Sequence, residues 1–171
     1  MSGSPELEYV TVNRELLLRF FVTFARFEFA LKNSRFFGPR GTRPDELLDA
    51  QPDWDAFAKS IRPSFSADAN ERLRSACDYL LYLSPPWREV VVDERVMWDS
   101  SPVPNDLPET QRLLLCVRRV RNNLFHGGKF TTVPADDAGR NTCLLEHSLV
   151  VLGECLRLSE EVFAVYERAV L

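Results

Sequence analysis

Apolar residues return every three or four positions through the first long stretch of this chain, and that period constrains the fold more than any other feature. Leu16, Leu17, Phe20, Phe21, Phe24, Phe27 and Leu31 share one side of a helix with 3.6 residues per turn, so residues 9–33 are expected to form a long core helix. A phenylalanine-rich stripe of this kind is a packing surface, because each ring needs a large apolar partner. Arg26, Glu28 and Lys32 form a charged face that reads as solvated; the alternative is that a glutamate here orients an arginine elsewhere in a bundle.

The same period recurs downstream. Residues 53–61 make a short helix closed by Pro63, and residues 67–83 a stronger one, with Asp68 placed to cap it and Leu73, Ala76, Cys77, Leu80 and Leu81 facing inward before Pro85-Pro86 ends it. Residues 141–171 read as a single terminal helix, with Leu145, Leu149, Leu152, Leu156, Leu158 and Phe163 inward, Glu154, Glu160, Glu161 and Glu167 outward, and Gly153 allowing a close helix approach. Between them lie a loose tail (1–8), a proline- and glycine-rich loop (34–52) carrying Arg35, Arg40 and Arg43 with room for a helical turn at 45–50, and a polar loop (130–140). Residues 87–107, with Val90, Val91, Val92, Val96, Met97 and Trp98 between prolines, suit a short strand or an extended flap. Such a connector is placed to cover a groove or exchange contacts in a dimer, or else simply packs Trp87 and Trp98 on the bundle. The expected architecture is all-α, a bundle of four to five helices in one domain spanning 1–171.

With 171 residues, 45% of them hydrophobic, the chain can bury a core without metal or disulfide support. Its formal charge of −4 supplies no global basic field, so any nucleic-acid contact must come from a local patch. Cys77, Cys116, Cys143 and Cys155 lack the C-x-x-C spacing of a zinc site and fit reduced thiols in a cytoplasm. No signal sequence opens the chain and its apolar runs are broken by Arg or Glu, so neither secretion nor a membrane partner is expected. No phosphate-cradling glycine loop or serine-nucleophile motif is visible, and no cofactor is expected.

Chemistry concentrates in one stretch, residues 117–129. It joins three permanent cations (Arg118, Arg119, Arg121), two amide heads (Asn122, Asn123) and a group that exchanges a proton near neutral pH (His126), ahead of Gly127-Gly128-Lys129. The spacing predicts the C-terminal half of a helix, with Asp106 as N-cap, Pro108 in the first turn, Glu109 completing a capping box, and the glycines stopping it. Leu113, Val117, Val120 and Leu124 take the core stripe; Arg119, Asn122, Asn123 and His126 lie opposite, expected to face away from the core. Arg121 and His126, five positions apart, diverge by roughly 140° on an ideal helix. They converge only if the helix end loosens, if the arginine reaches, or if a second copy of the chain supplies one of them. A purely structural alternative has Arg121 capping helix carbonyls or pairing with a glutamate of the last helix, and His126 merely terminating the helix. His147, the other histidine, is not assigned to the site.

Arg121-Asn122-x-x-x-His126 at the end of an amphipathic helix resembles the Arg-polar-x-x-x-His signature of the HEPN superfamily (higher eukaryotes and prokaryotes nucleotide-binding). The resemblance implies a helical bundle, often dimeric, and a metal-independent endoribonuclease of a toxin, antiphage or RNA-processing system whose arginine and histidine meet from two protomers. It implies RNA as partner and a homodimer, with Arg121, Asn122 and His126 catalytic and Arg118, Arg119 and Lys129 positioned for substrate phosphates. The competing expectation within the same resemblance is a non-catalytic module that binds nucleotide, RNA or protein, for instance a nucleotidyltransferase antitoxin.

Overall fold

Nineteen residues of the first apolar stripe form α1 (Arg14–Lys32), started by the Asn13 side chain, whose oxygen accepts from the N–H groups of Glu15 and Leu16. The computed structural model describes residues 12–40, 49–125 and 137–170. After α1 come a hairpin of β1 (Phe37–Arg40) and β2 (Asp49–Pro52), then α2 (Trp54–Ile61), α3 (Glu71–Asp78), a second hairpin of β3 (Arg88–Val92) and β4 (Arg95–Asp99), and α4 (Glu109–Phe125), α5 (Asp137–Arg157) and α6 (Glu160–Arg168). The described residues are therefore mostly helical, as the periodicity requires, with six α-helices rather than four or five and two short antiparallel sheets.

Aromatic packing joins the first two helices. Phe27 of α1 is fully buried, stacked on Trp54 at 5.3 Å and edge-on to Phe57 at 5.3 Å. Phe36 meets the other side of Phe57 at 5.3 Å. Behind this layer α4 runs through the middle of the bundle: Leu113, Leu114, Cys116, Val117 and Val120 are all buried. α5 lies against α1, α3 and α4, burying Leu144, Leu145, Val151, Leu152 and Cys155.

Several boundaries differ from the sequence expectation, each for a local reason. The third helix is capped by Asn70, which accepts from the Leu73 N–H at 2.8 Å; Asp68 sits in a preceding tight turn and pairs instead with Arg74 at 2.8 Å. That helix then opens into a wider turn over Tyr79–Leu83, closed by the Ser84 N–H on the Tyr79 carbonyl at 2.9 Å. α4 begins at Glu109, leaving Asp106 and Pro108 in the turn ahead of it. The terminal helix is two helices, because the Ser159 hydroxyl accepts from the Val162 N–H and starts α6 afresh. α5 begins at Asp137, so Arg140 is in its first turn and not in a loop.

In the 34–52 stretch, residues 37–40 and 49–52 pair as antiparallel strands, in register from Phe37↔Pro52 to Arg40↔Asp49, while residues 41–48, with Arg43 and most of the turn suggested at 45–50, lie outside the described residues. The 87–107 connector holds the strand that its valines suggested, folded back on a second one. Val92 pairs with Arg95, leaving a two-residue turn at Asp93 and Glu94 with φ of 48° and 61°, the left-handed geometry that matches the twist of a hairpin. Val91 and Val96, paired across one face of this ribbon, are 75% and 69% exposed. The tail expected at 1–8 and the 130–136 part of the polar loop lie outside the described residues. No helix among the described residues is long and apolar enough to cross a membrane.

The aromatic layer yields a stability prediction. Phe27→Ala should cost about 3–5 kcal/mol of unfolding free energy, since it empties a site walled by rings that cannot collapse inward. Asn70→Ala, which removes only a cap, should cost about 1 kcal/mol. Urea titration of the parent and the two variants measures both.

Candidate functional site

Because α4 is buried on most sides, few of its polar groups meet solvent. Thr110, Arg112, Arg119 and Asn123 are buried together with its apolar residues. Among its described side chains, Gln111, Leu115, Arg118, Arg121 and Asn122 form one accessible stripe, half-buried except for the exposed Asn122, while Glu109 at the start and Leu124 near the end are accessible off it. The stripe reaches the helix end with Arg121 and Asn122 side by side, the guanidinium Nη1 donating to the Asn122 Oδ1 at 3.1 Å. The same guanidinium carbon lies 5.6 Å from the centre of the Phe24 ring of α1, which limits its swing. Arg121 is thus held at the rim of the core by an amide and an aromatic face.

The expected polar face opposite the core is corrected by the structure. Arg119 and Asn123 do not point to water; they hold the 84–87 segment at the base of the second hairpin. Arg119 Nη1 donates to the carbonyls of Pro86 (3.4 Å) and Ser101 (3.3 Å), and Asn123 Nδ2 donates to the Trp87 carbonyl at 2.9 Å. From α5, Arg140 donates to the Ser84 hydroxyl at 2.7 Å and the Pro85 carbonyl at 2.9 Å, with its guanidinium 5.3 Å from the Trp87 ring. Two consecutive prolines have no N–H to offer a ladder but retain their carbonyls, so the segment needs side-chain donors if it is to pack against the bundle. That was the available signal for this clamp, and neither Arg119 nor Arg140 carries it by spacing alone. Burial lowers the Arg119 guanidinium from its ordinary value, with the nearby Cys116 thiol acting in the opposite sense.

Beyond the clamp, Arg88 and Asp99 close the hairpin's base at 2.7 Å. Hydrogen bonds from the Ser101 hydroxyl and N–H, together with Arg88, hold the Asp99 carboxyl below the usual carboxylate range. Of the residues named for the site, Arg118, Arg121 and Asn122 share the accessible stripe and Arg119 is buried beside it. His126 and Lys129 lie outside the described residues. Where α4 and α5 approach, Val120, Asn123, Leu124, Asn141 and Leu144 enclose a crevice of about 10 Å³, room for a water at most.

A separate groove of about 420 Å³ runs between α1, α3 and α5, with Arg19, Arg72, Ser75 and His147 among its walls and no residue of α4. His147 stacks on Tyr79 with centroids 4.5 Å apart, and burial pushes its imidazole below the ordinary histidine value. Among the described residues no three His, Cys, Asp or Glu side chains cluster to hold a metal ion. Burial pushes the Cys77 and Cys116 thiols up to about 12, and that of Cys155 also upward. No family model matches the chain, and neither the curated proteins nor the solved structures include a match to it.

Two outcomes follow from this packing. Arg119→Ala leaves the Pro86 and Ser101 carbonyls without their donor, so amide exchange across 88–99 should accelerate at least about tenfold, the change expected for roughly 1.4 kcal/mol of local stability. Mass-resolved exchange checks it. In native protein at pH 8, a thiol reagent should modify Cys143, which is half-buried, well before Cys77, Cys116 and Cys155, whose thiolates are suppressed until unfolding.

Proposed function

We propose that this chain is a HEPN-like, metal-independent endoribonuclease of a toxin or antiphage-defence type, acting through Arg121, Asn122 and His126. The observation that supports it most directly is the Arg121–Asn122 pair, hydrogen-bonded at 3.1 Å on an accessible stripe of a largely buried helix, five and four residues ahead of His126 in the sequence. A half-buried guanidinium at the end of that helix, beside an amide head, is an arrangement that can stabilise phosphate charge.

The chemistry is transesterification. A base removes the proton of a ribose 2′-hydroxyl, the oxygen attacks the adjacent phosphorus, and the P–O5′ bond breaks as an acid protonates the departing oxygen. The products are a 2′,3′-cyclic phosphate and a 5′-hydroxyl, with every proton accounted for and no metal needed. His126 acts as base or acid, Arg121 holds the charge that builds on the non-bridging oxygens, and Asn122 orients the guanidinium through its Oδ1. Two proton transfers call for two histidines, which is the reason for placing the site between two protomers. Arg118 and Lys129 serve as phosphate contacts. Arg119, spent on backbone carbonyls, acts instead by positioning the helix end through the clamp.

One observation favours a second reading, a non-catalytic module that binds nucleotide, RNA or a protein partner such as a nucleotidyltransferase antitoxin. With Arg119 and Arg140 both engaged in the clamp and a chain charge of −4, the cations left for a long RNA are few.

The test is cleavage of labelled mixed RNA by the purified chain in excess EDTA. The expected result is cyclic-phosphate ends, a rate that depends on pH in a bell shape, and a loss of at least about a hundredfold in both Arg121→Ala and His126→Ala. Folded protein that leaves RNA intact, or His126→Ala cutting as fast as the parent, would reject the nuclease and leave the binding module.

A further inference from the structure

α1 presents a second apolar stripe that its core packing leaves uncovered. Leu18, Val22, Ala25 and Phe29 are all exposed, at 63% for Leu18, 37% for Val22 and 41% for Phe29. Their spacing of four, three and four residues is that of a helix–helix seam, and on a regular helix they fall within about 60° of arc and extend along about 16 Å. A soluble surface scatters its apolar residues singly; a continuous line of them at seam spacing marks a contact. The same 3–4 rhythm continues outward to one charge at each end, Glu15 in the first turn and Lys32 in the last, both exposed. Neither has an ion-pair partner among the described residues.

We infer that this stripe is the seam on which a second copy of the chain docks, its α1 running antiparallel across a two-fold axis. The pattern is self-complementary in that orientation alone. Glu15 and Lys32, Leu18 and Phe29, and Val22 and Ala25 are each equidistant from a point between Thr23 and Phe24. A two-fold axis there sets Glu15 against the partner copy's lysine at both ends, large Leu18 against large Phe29, and the smaller Val22 and Ala25 together at the centre, where the helices approach most closely. A parallel pair would place like charges together at each end and align the two helix dipoles. The seam thus names the surface for the dimer that the nuclease reading requires and rests on that reading for its purpose, but its own existence is measured by mass and not by activity.

Sedimentation of the full chain at micromolar concentration should give twice the 19.6 kDa chain mass. Ala25→Arg, at an exposed position, should give monomer with an unchanged thermal melt by circular dichroism. Glu15→Lys and Lys32→Glu should each weaken the dimer, about tenfold in Kd for two end pairs turned from attraction to repulsion. Mixed together, those two variants should associate as tightly as the parent, because both ends of the heterodimer again join opposite charges. A monomeric parent, as when another segment of the same chain covers the stripe, an Ala25→Arg protein that stays dimeric, or a mixture no tighter than its components would overturn the seam. A dimer that passes these tests yet leaves RNA uncut would remove the nuclease reading and leave the seam standing. Monomeric Ala25→Arg that cuts as fast as the parent would likewise remove only the two-protomer site.

Discussion

Burying a helix on nearly all its sides sends most of the polar groups it carries to partners inside the protein, and that constraint on α4 organises the rest of the structure. Arg119 and Asn123 meet it by donating to the carbonyls of Pro86, Ser101 and Trp87. The individual Arg119 bonds are long, at 3.3 and 3.4 Å, so their worth lies less in strength than in leaving no buried donor or acceptor bare. Arg140 completes the arrangement from α5, and the segment leading into the second hairpin is thereby fastened to both α4 and α5.

The clamp and the site divide the basic residues of one short helix between two tasks. Side chains one residue apart on a helix point about 100° apart, so Arg118, Arg119 and Arg121 cannot share a surface. Arg119 turns into the protein, while Arg118 and Arg121 remain on the accessible stripe. The apparent density of cations in the sequence therefore overstates the charge available to a ligand. On that stripe Arg121 is steadied by Asn122 and Phe24, with Arg118 one turn before it.

α1 shows the same division on a larger scale. Its inward phenylalanines join α2 through Trp54 and Phe57, and Arg26 reaches α6, donating to the Tyr166 carbonyl at 2.7 Å with its guanidinium 4.2 Å from that ring. Both faces are committed to the fold, which is why the uncovered line from Leu18 to Phe29 stands apart as a surface without an internal task.

How much of this was legible beforehand depends on the range of the forces involved. Period and composition alone determined that the chain is helical, that Phe20, Phe24, Phe27 and Leu31 face a core, and that the 34–52 and 87–107 stretches fall between helices, because those outcomes follow from side-chain spacing within a few turns. Local cap chemistry was only partly legible: Asp68 and Asn70 are both competent caps, and Asn70 caps the helix while Asp68 pairs with Arg74. The long terminal apolar pattern hid the break at Ser159, since the stripe continues in phase across it. Only the tertiary structure decided which arginine of residues 118–121 faces solvent, because that depends on where Pro86 and Trp87, more than thirty residues away, lay their carbonyls. Periodicity reports which way a side chain points on its own helix; what it meets there is settled by the packing of the others.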